Sequence, residues 1–195
     1  MSGTFKFLLI LILGGAAAFV FMPRDMKHEM QDTVMRVFAP QLDLPPDAAK
    51  PENQTSWIAE YRNRGYKLKC YDGLGPEEKI DKSNDYLCWG LIKSAYDNVP
   101  ARSVAFYFSR QELRHVKVEF PDSSFAALQD YLGRRLARYP RLDEDPQHSF
   151  SPDIYGRPVM VWATPGGLVV TSKRATDGKP ITLLWSSMRS VAPES

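Results

Sequence analysis

The sequence carries almost no excess of charge of either sign. Its 195 residues include 25 lysines and arginines against 23 aspartates and glutamates, a formal net charge of +2. Nucleic-acid-binding proteins usually rely on a strong positive field. The charge balance therefore argues against nucleic acid as a partner, while a hydrophobic content of 44% is that of a globular protein.

Recognised catalytic motifs are also missing. The sequence contains no G-x-S-x-G, no H-E-x-x-H and no P-loop, and its three histidines, His28, His115 and His148, are far apart. His115 alternates with apolar residues in a predicted strand, so we expect it on the solvent face. We predict a non-enzymatic protein without catalytic residues or a cofactor. A hydrolase built on unrecognised residues is the enzymatic alternative.

Cysteine is scarce, with Cys70 and Cys88 alone. The spacing is not C-x-x-C, and no histidine lies close enough in sequence to complete a zinc site, so we expect no metal. In an exported chain, two cysteines at this separation predict one disulfide. In a cytosolic chain the same pair would be two reduced thiols, so the compartment decides between the two.

One long apolar run is present, at residues 7–22, sixteen residues without charge. A transmembrane helix needs about 20 apolar residues and the core of a signal peptide about 10–14, so this length falls between them. We expect an uncleaved transmembrane anchor. The alternatives are a signal peptide cleaved after Ala18, which would release an exported soluble form, and a buried core helix.

The basic residues that flank this run do not decide its orientation, because Lys6 precedes it and Arg24 and Lys27 follow it. The cysteine pair favours a domain outside the cytoplasm. The sequence therefore predicts a single-pass membrane protein with a cytoplasmic N-terminus and a periplasmic or extracellular domain.

A second helix is predicted at residues 25–38, directly after the apolar run. Its apolar residues recur at helical spacing and either pack within the chain or contact a partner protein. The predicted contact residues are Met26, Met30, Val34 and Phe38. We expect three regions: an anchor or signal at 1–22, a juxtamembrane helix and Pro-rich linker at 23–55, and a domain at 56–190.

The domain pattern predicts an α+β fold, an antiparallel sheet of about five or six strands with helices packed on one face. Helices are expected after an N-cap at Ser56, over residues 86–97, and from Asp122 to Leu136. Strands are expected at residues 66–71, 104–108, 116–120, 159–163, 168–172 and 181–186. A disulfide would then join the strand of Cys70 to the helix of Cys88.

Two charged clusters are candidate binding sites. Arg134, Arg135, Arg138 and Arg141 follow a predicted helix, where they either complement its dipole or contact anionic lipid or an acidic partner. The carboxylates of Asp143, Glu144, Asp145 and Asp153 are either a solvated loop or ligands for calcium, although their spacing is not that of an EF-hand.

The arrangement of anchor, linker and small α+β domain resembles that of many bacterial envelope assembly factors and accessory subunits, although fold alone does not determine function. We expect a membrane-anchored protein that binds or helps assemble another envelope protein or membrane complex. The alternative is a carrier of a small apolar or lipid ligand, held in a cleft between sheet and helices.

Overall fold

A computed structural model describes residues 38–188 of the chain. The chain divides into two compact units, Met1–Phe38 and Ala39–Ser195, and the fold below is that of the second. The apolar run at residues 7–22 and the predicted juxtamembrane helix, apart from Phe38, lie outside the described residues. Between residues 38 and 188, no helix has the length and apolar character needed to cross a bilayer.

Ten strands, two α-helices and three single-turn 3-10 helices make up the described part of this unit. The strands are β1 (Gln41–Leu42), β2 (Lys69–Asp72), β3 (Tyr86–Leu91), β4 (Ser94–Ala95), β5 (Val99–Pro100), β6 (Ser103–Ser109), β7 (Glu112–Phe120), β8 (Val159–Thr164), β9 (Gly167–Ser172) and β10 (Ile181–Ser187). The α-helices are α1 (Gln54–Asn63) and α2 (Phe125–Arg135). Seven strands form one antiparallel sheet in the order β2-β3-β6-β7-β10-β9-β8, and β1, β4 and β5 form a small second sheet.

The core lies between the two helices and one face of the large sheet. Residues directly opposite one another on antiparallel strands share a face, and the register aligns Phe106, Val116 and Trp185 across three neighbouring strands. The helix side chains packed into the same core are Trp57, Tyr61, Leu128, Leu132 and Leu136. The predicted α+β class with a mainly antiparallel sheet is confirmed, with seven strands in the large sheet rather than five or six.

The predicted helix over residues 86–97 is wrong, because residues 86–91 form β3. Both faces of this segment are buried, with Leu87 8% and Cys88 0% exposed, so its apolar residues show no alternation that would mark a strand. Tyr96, Asp97 and Asn98 adopt positive φ angles, which end any helix there.

The disulfide between Cys70 and Cys88 is present. The two residues lie directly opposite each other on β2 and β3. The bond therefore joins two neighbouring strands and not, as predicted, a strand and a helix.

The predicted Pro-rich linker at residues 39–55 is packed against the domain over much of its length. Leu42 and Ala49 are buried in the core at 1% and 3% exposure. Backbone hydrogen bonds from Lys93 N to Pro40 O (3.1 Å) and from Leu113 N to Glu52 O (2.8 Å) attach the segment at both ends. The compact unit accordingly starts at Ala39 and not at Ser56.

Patterns within single strands and hairpins predicted the structure more accurately. The predicted hairpin is formed by β6 and β7, joined at Arg110 and Gln111, whose φ angles of 50° and 64° suit a tight hairpin turn. The three C-terminal strands differ from their predicted bounds by at most one residue at each end. Helix α1, however, is capped by Asn53, whose side chain accepts from Thr55 N and Ser56 N, and not by Ser56.

Candidate functional site

The two edges of the large sheet differ. Strand β8 at one edge is covered by residues 140–143, since Ala163 N donates to Pro140 O (3.1 Å) and Val161 N donates to an Asp143 carboxylate oxygen (2.8 Å). Strand β2 at the other edge pairs only with β3 among the strands of the described chain. The β2 edge, meaning the side of Lys69–Asp72 that faces away from β3, is therefore open.

The peptide groups that point outward from the β2 edge follow from the hydrogen-bond pattern. Ile92 follows β3, and its N–H donates to Arg102 O, directly before β6, so the peptide groups of Ile92 point towards β6. Peptide groups point to alternate sides of a strand from one residue to the next. Those of Cys88, four residues before Ile92, therefore also point towards β6. Cys70 and Cys88 are then a non-hydrogen-bonded pair, in keeping with their Cα separation of 4.0 Å. Cys70 and Asp72 consequently present their N–H and C=O groups to the open side.

Charged and aromatic side chains surround this edge on both faces. On the helix-facing side, Arg62 of α1 places Nη2 3.8 Å from Cys70 Sγ. On the other side, Trp89 Nε1 donates to Tyr71 Oη (2.6 Å), and Lys69 Nζ lies 5.2 Å from the centre of the Trp89 ring. The edge therefore combines open backbone groups with side chains able to form specific contacts.

A buried hydrogen-bonded array crosses the opposite face of the sheet. His115 is 3% exposed; its Nε2 lies 2.9 Å from Asp81 Oδ2 and its Nδ1 lies 2.9 Å from Ser186 Oγ. A neutral imidazole satisfies both contacts when Nε2–H donates to the carboxylate and the Ser186 hydroxyl donates to Nδ1. We call Asp81, His115 and Ser186 the histidine array.

Burial controls the electrostatics of this array. It lowers the pKa of His115 by disfavouring the imidazolium, and the Asp81 carboxylate offsets only part of that effect. Burial alone would raise the pKa of Asp81, but hydrogen bonds from Ser83 and His115 outweigh it, and the pKa is lowered. The neutral histidine beside an ionised aspartate is thus the favoured state at neutral pH.

The prediction that His115 lies on the solvent face is wrong, because residues 73–85 fold over that face. Leu74 of this loop packs with Leu87 and Tyr107 of the sheet, and Asp81 closes on His115. Periodicity correctly placed His115 away from the core, but nothing local in the sequence links it to Asp81 or Ser186.

The hydrogen bonds run from Ser186 to His115 to Asp81, as in a nucleophilic Ser–His–Asp triad. The backbone around Ser186, however, differs from that around a catalytic nucleophile. Ser186 lies within β10, with strands paired on both sides, so its own backbone N–H belongs to the sheet ladder. An acyl-transfer site needs such donors free to stabilise an oxyanion. The contacts support a structural role for the array, holding the loop on the sheet.

The four predicted patch arginines all contact carboxylates of the same chain. Arg135 and Arg138 share Asp47, with distances of 2.8 and 3.0 Å. Arg134 pairs with Asp130 on α2. Arg141 makes a bidentate pair with Asp143 (2.8 and 2.7 Å) and also lies 3.4 Å from Glu144. The structure thus brings two of the four together, and binding of lipid or an acidic partner there stays a prediction.

The acidic residues considered for calcium also contact basic side chains of the same chain: Asp143 and Glu144 share Arg141, and Asp145 lies 3.1 Å from His148. Asp143 pairs with Arg141 and with Lys173 (2.8 Å), and Asp153 pairs with Arg157 (2.6 Å). Within residues 38–188, no group of three or more His, Cys, Asp or Glu side chains is arranged to hold a metal ion.

A cavity of about 390 Å³ opens at the end of the sheet, beside the turn that joins β8 and β9. Its lining includes Lys50, Glu112, Gly166 and Ser187. The cavity does not lie between the sheet and the helices, where a carrier cleft was predicted. That layer is filled by large side chains, including Trp57, Phe106 and Trp185, none more than 3% exposed.

Of the four predicted partner-contact residues, Phe38 alone is described, and its side chain is 84% exposed. Met26, Met30 and Val34 lie outside the described residues. Contact between this segment and a partner stays a prediction.

The chain has no match among protein-family models, curated proteins or solved structures. Function therefore rests on the surfaces described above. Two features are the most unusual: the β2 edge, which is open and flanked by charged side chains, and the histidine array, which is buried and closed.

Proposed function

We propose that this chain is a non-enzymatic, membrane-anchored extracytoplasmic protein that binds or helps assemble another envelope protein or membrane complex. The disulfide between Cys70 and Cys88 is the observation that carries the proposal. Disulfides persist in oxidising compartments and are rare in the cytoplasm. The apolar run at residues 7–22 supplies the means of export and, if uncleaved, the anchor.

The partner-binding part of the proposal is supported by exposed apolar side chains. Phe38 and Ile154 are 84% and 85% exposed, and Met188 is 52% exposed. Phe38 carries most of this support, because it ends the predicted partner-contact series Met26, Met30, Val34 and Phe38. A carrier function receives less support, since the sheet–helix layer of the described residues is closed by packed aromatic side chains.

Intact mass of the protein from the membrane fraction tests the first part of the proposal. Alkylation before and after reduction counts the thiols, and the mass shows whether the N-terminal run is retained. We expect an uncleaved chain whose two cysteines react only after reduction. Two thiols that are freely alkylated in a protein from the soluble fraction would place the domain in the cytoplasm and end the proposal.

Site-specific photo-crosslinking tests the second part. A photoreactive residue at Phe38 is expected to give a discrete adduct with one envelope protein, at native expression. The matched control is Arg174, which is exposed in the loop between β9 and β10. Equal and diffuse labelling from both positions would contradict a specific partner at Phe38.

A further inference from the structure

We propose that two copies of this chain associate through their β2 edges, as antiparallel neighbours in one sheet that continues across both copies. This inference does not depend on a partner protein or on the anchor. It starts from the open backbone of the edge, because Cys70 and Asp72 direct their peptide groups away from β3. An exposed edge of this kind is a template for pairing with another strand.

Two identical strands related by a two-fold axis must pair in a register that is the same seen from either copy. Among such registers, one places Tyr71 opposite Tyr71 of the second copy. Cys70 then lies opposite Asp72 of the second copy, and these two residues are the ones whose peptide groups point outward. In each such pair, the N–H of either residue would donate to the C=O of the other.

Charge complementarity favours this register over the symmetric registers in which the two β2 strands are shifted along each other. Asp72 is exposed and makes no ion pair within residues 38–188, and it lies on the same face as Cys70. Arg62 Nη2 lies 3.8 Å from Cys70 Sγ on that face, and Arg62 also lacks a carboxylate partner among the described residues. Pairing Cys70 with Asp72 of the second copy brings that carboxylate beside Arg62, and symmetry repeats the contact.

The other face of the edge supplies an aromatic contact. Tyr71 is 42% exposed and is held in place by the hydrogen bond from Trp89 Nε1. In the same register the two Tyr71 rings would be a directly opposed cross-strand pair, the arrangement in which aromatic side chains stabilise a sheet. The disulfide joins β2 to β3 and so keeps this short strand in place before pairing.

Charge reversal in the full-length chain tests the proposal, with protein mass measured by size-exclusion chromatography and light scattering corrected for detergent. Wild type is expected to dimerise with rising concentration. Arg62→Asp and Asp72→Arg each place like charges across the edge, so each should raise the dissociation constant by about tenfold or more. An equimolar mixture of the two variants should form a heterodimer, because every cross-edge pair then regains opposite charges.

Matched controls carry the same charge changes in the exposed turn between β9 and β10. Arg174→Asp and Asp177→Arg should leave the dimer unchanged. A wild-type chain that stays monomeric at all concentrations overturns the proposal. So does a dimer that both edge variants leave intact, or one that the mixture fails to restore while the separate variants remain folded.

Discussion

At the scale of single residues, His115 makes stability depend on pH. The pKa of His115 is lowered in the folded protein, while that of an unfolded histidine is about 6.5. The unfolded chain therefore binds more protons near that pH, so the free energy of unfolding should fall as pH drops from about 7.5 to about 5.5. His115→Gln should be less stable at neutral pH, by about 1–3 kcal/mol, and should lose this slope.

Urea unfolding followed by tryptophan fluorescence at the two pH values measures both effects. Gln147→Ala, at an exposed position in a loop, is the control and should respond to pH as wild type does. If His115→Gln kept the full wild-type slope, the buried imidazole would not be its source.

Asp143 is a second residue on which local structure depends. Its side chain is 5% exposed and accepts hydrogen bonds from Arg141, Lys173 and the backbone of Val161. Burial alone would raise its pKa, but the two cations outweigh burial and hold the pKa of Asp143 well below its usual range. Asp143→Asn would leave Lys173 without its carboxylate and Arg141 with only the more distant Glu144, and we expect a loss of about 2–3 kcal/mol.

The contribution of Asp143 should be present above about pH 4 and disappear as pH falls further, because the folded carboxyl holds its charge to lower pH than the unfolded one. Thermal unfolding across that range measures it. Glu144→Gln removes a neighbouring carboxylate that is 65% exposed, and should change stability by less than about 0.5 kcal/mol. Equal effects of the two variants would show that the Asp143 contacts do not stabilise the β8 edge.

At the scale of elements, the disulfide holds a four-residue edge strand on the sheet. Cys70 and Cys88 are 18 residues apart, and closing a loop of that size should stabilise the fold by about 3 kcal/mol. Denaturant unfolding with and without reductant tests this value. Hydrogen exchange should show faster exchange in β2 on reduction, while β7, paired on both sides, changes little. Unchanged exchange in β2 would mean that the bond is not what retains the strand.

Strands were predictable where one face is exposed to solvent and the other packs into the core, because apolar and polar residues then alternate. Along β6 and β7 the alternation of Val104, Phe106, Val116 and Val118 with more polar neighbours is visible locally, and the hairpin followed from it. Strand β3 was missed because both of its faces are covered. Its partners on β2 and β6 are 12 or more residues away in sequence, beyond the reach of a local pattern.

The candidate sites were less predictable than the strands. The cysteine pair could be inferred from count and spacing. The histidine array could not, because it joins Asp81, His115 and Ser186 from three distant parts of the chain. The open state of the β2 edge depends on the order of strands in the sheet, which no local pattern contains.

At the scale of the whole molecule, residues 39–55 belong to the domain and should be required for its stability. They supply Leu42 and Ala49 to the core, and Asp47, which binds Arg135 and Arg138. A Cβ placed on Gly166 would lie 2.0 Å from Ala49 O, which shows how closely this segment is packed. A chain that starts at Ala39 should unfold cooperatively, while one that starts at Ser56 should lose more than about 3 kcal/mol or fail to fold.

A point substitution distinguishes the loss of core packing from the effect of shortening the chain. Leu42→Ala in the full-length chain removes a side chain that is 1% exposed and should cost about 2–4 kcal/mol, because buried leucines leave a cavity when truncated. Lys50→Ala, in the same segment but exposed, should have little effect. Chemical denaturation of the three proteins gives the comparison. If Leu42→Ala matched wild type and the Ser56 chain folded normally, residues 39–55 would be a tether and the domain would begin where the sequence pattern placed it.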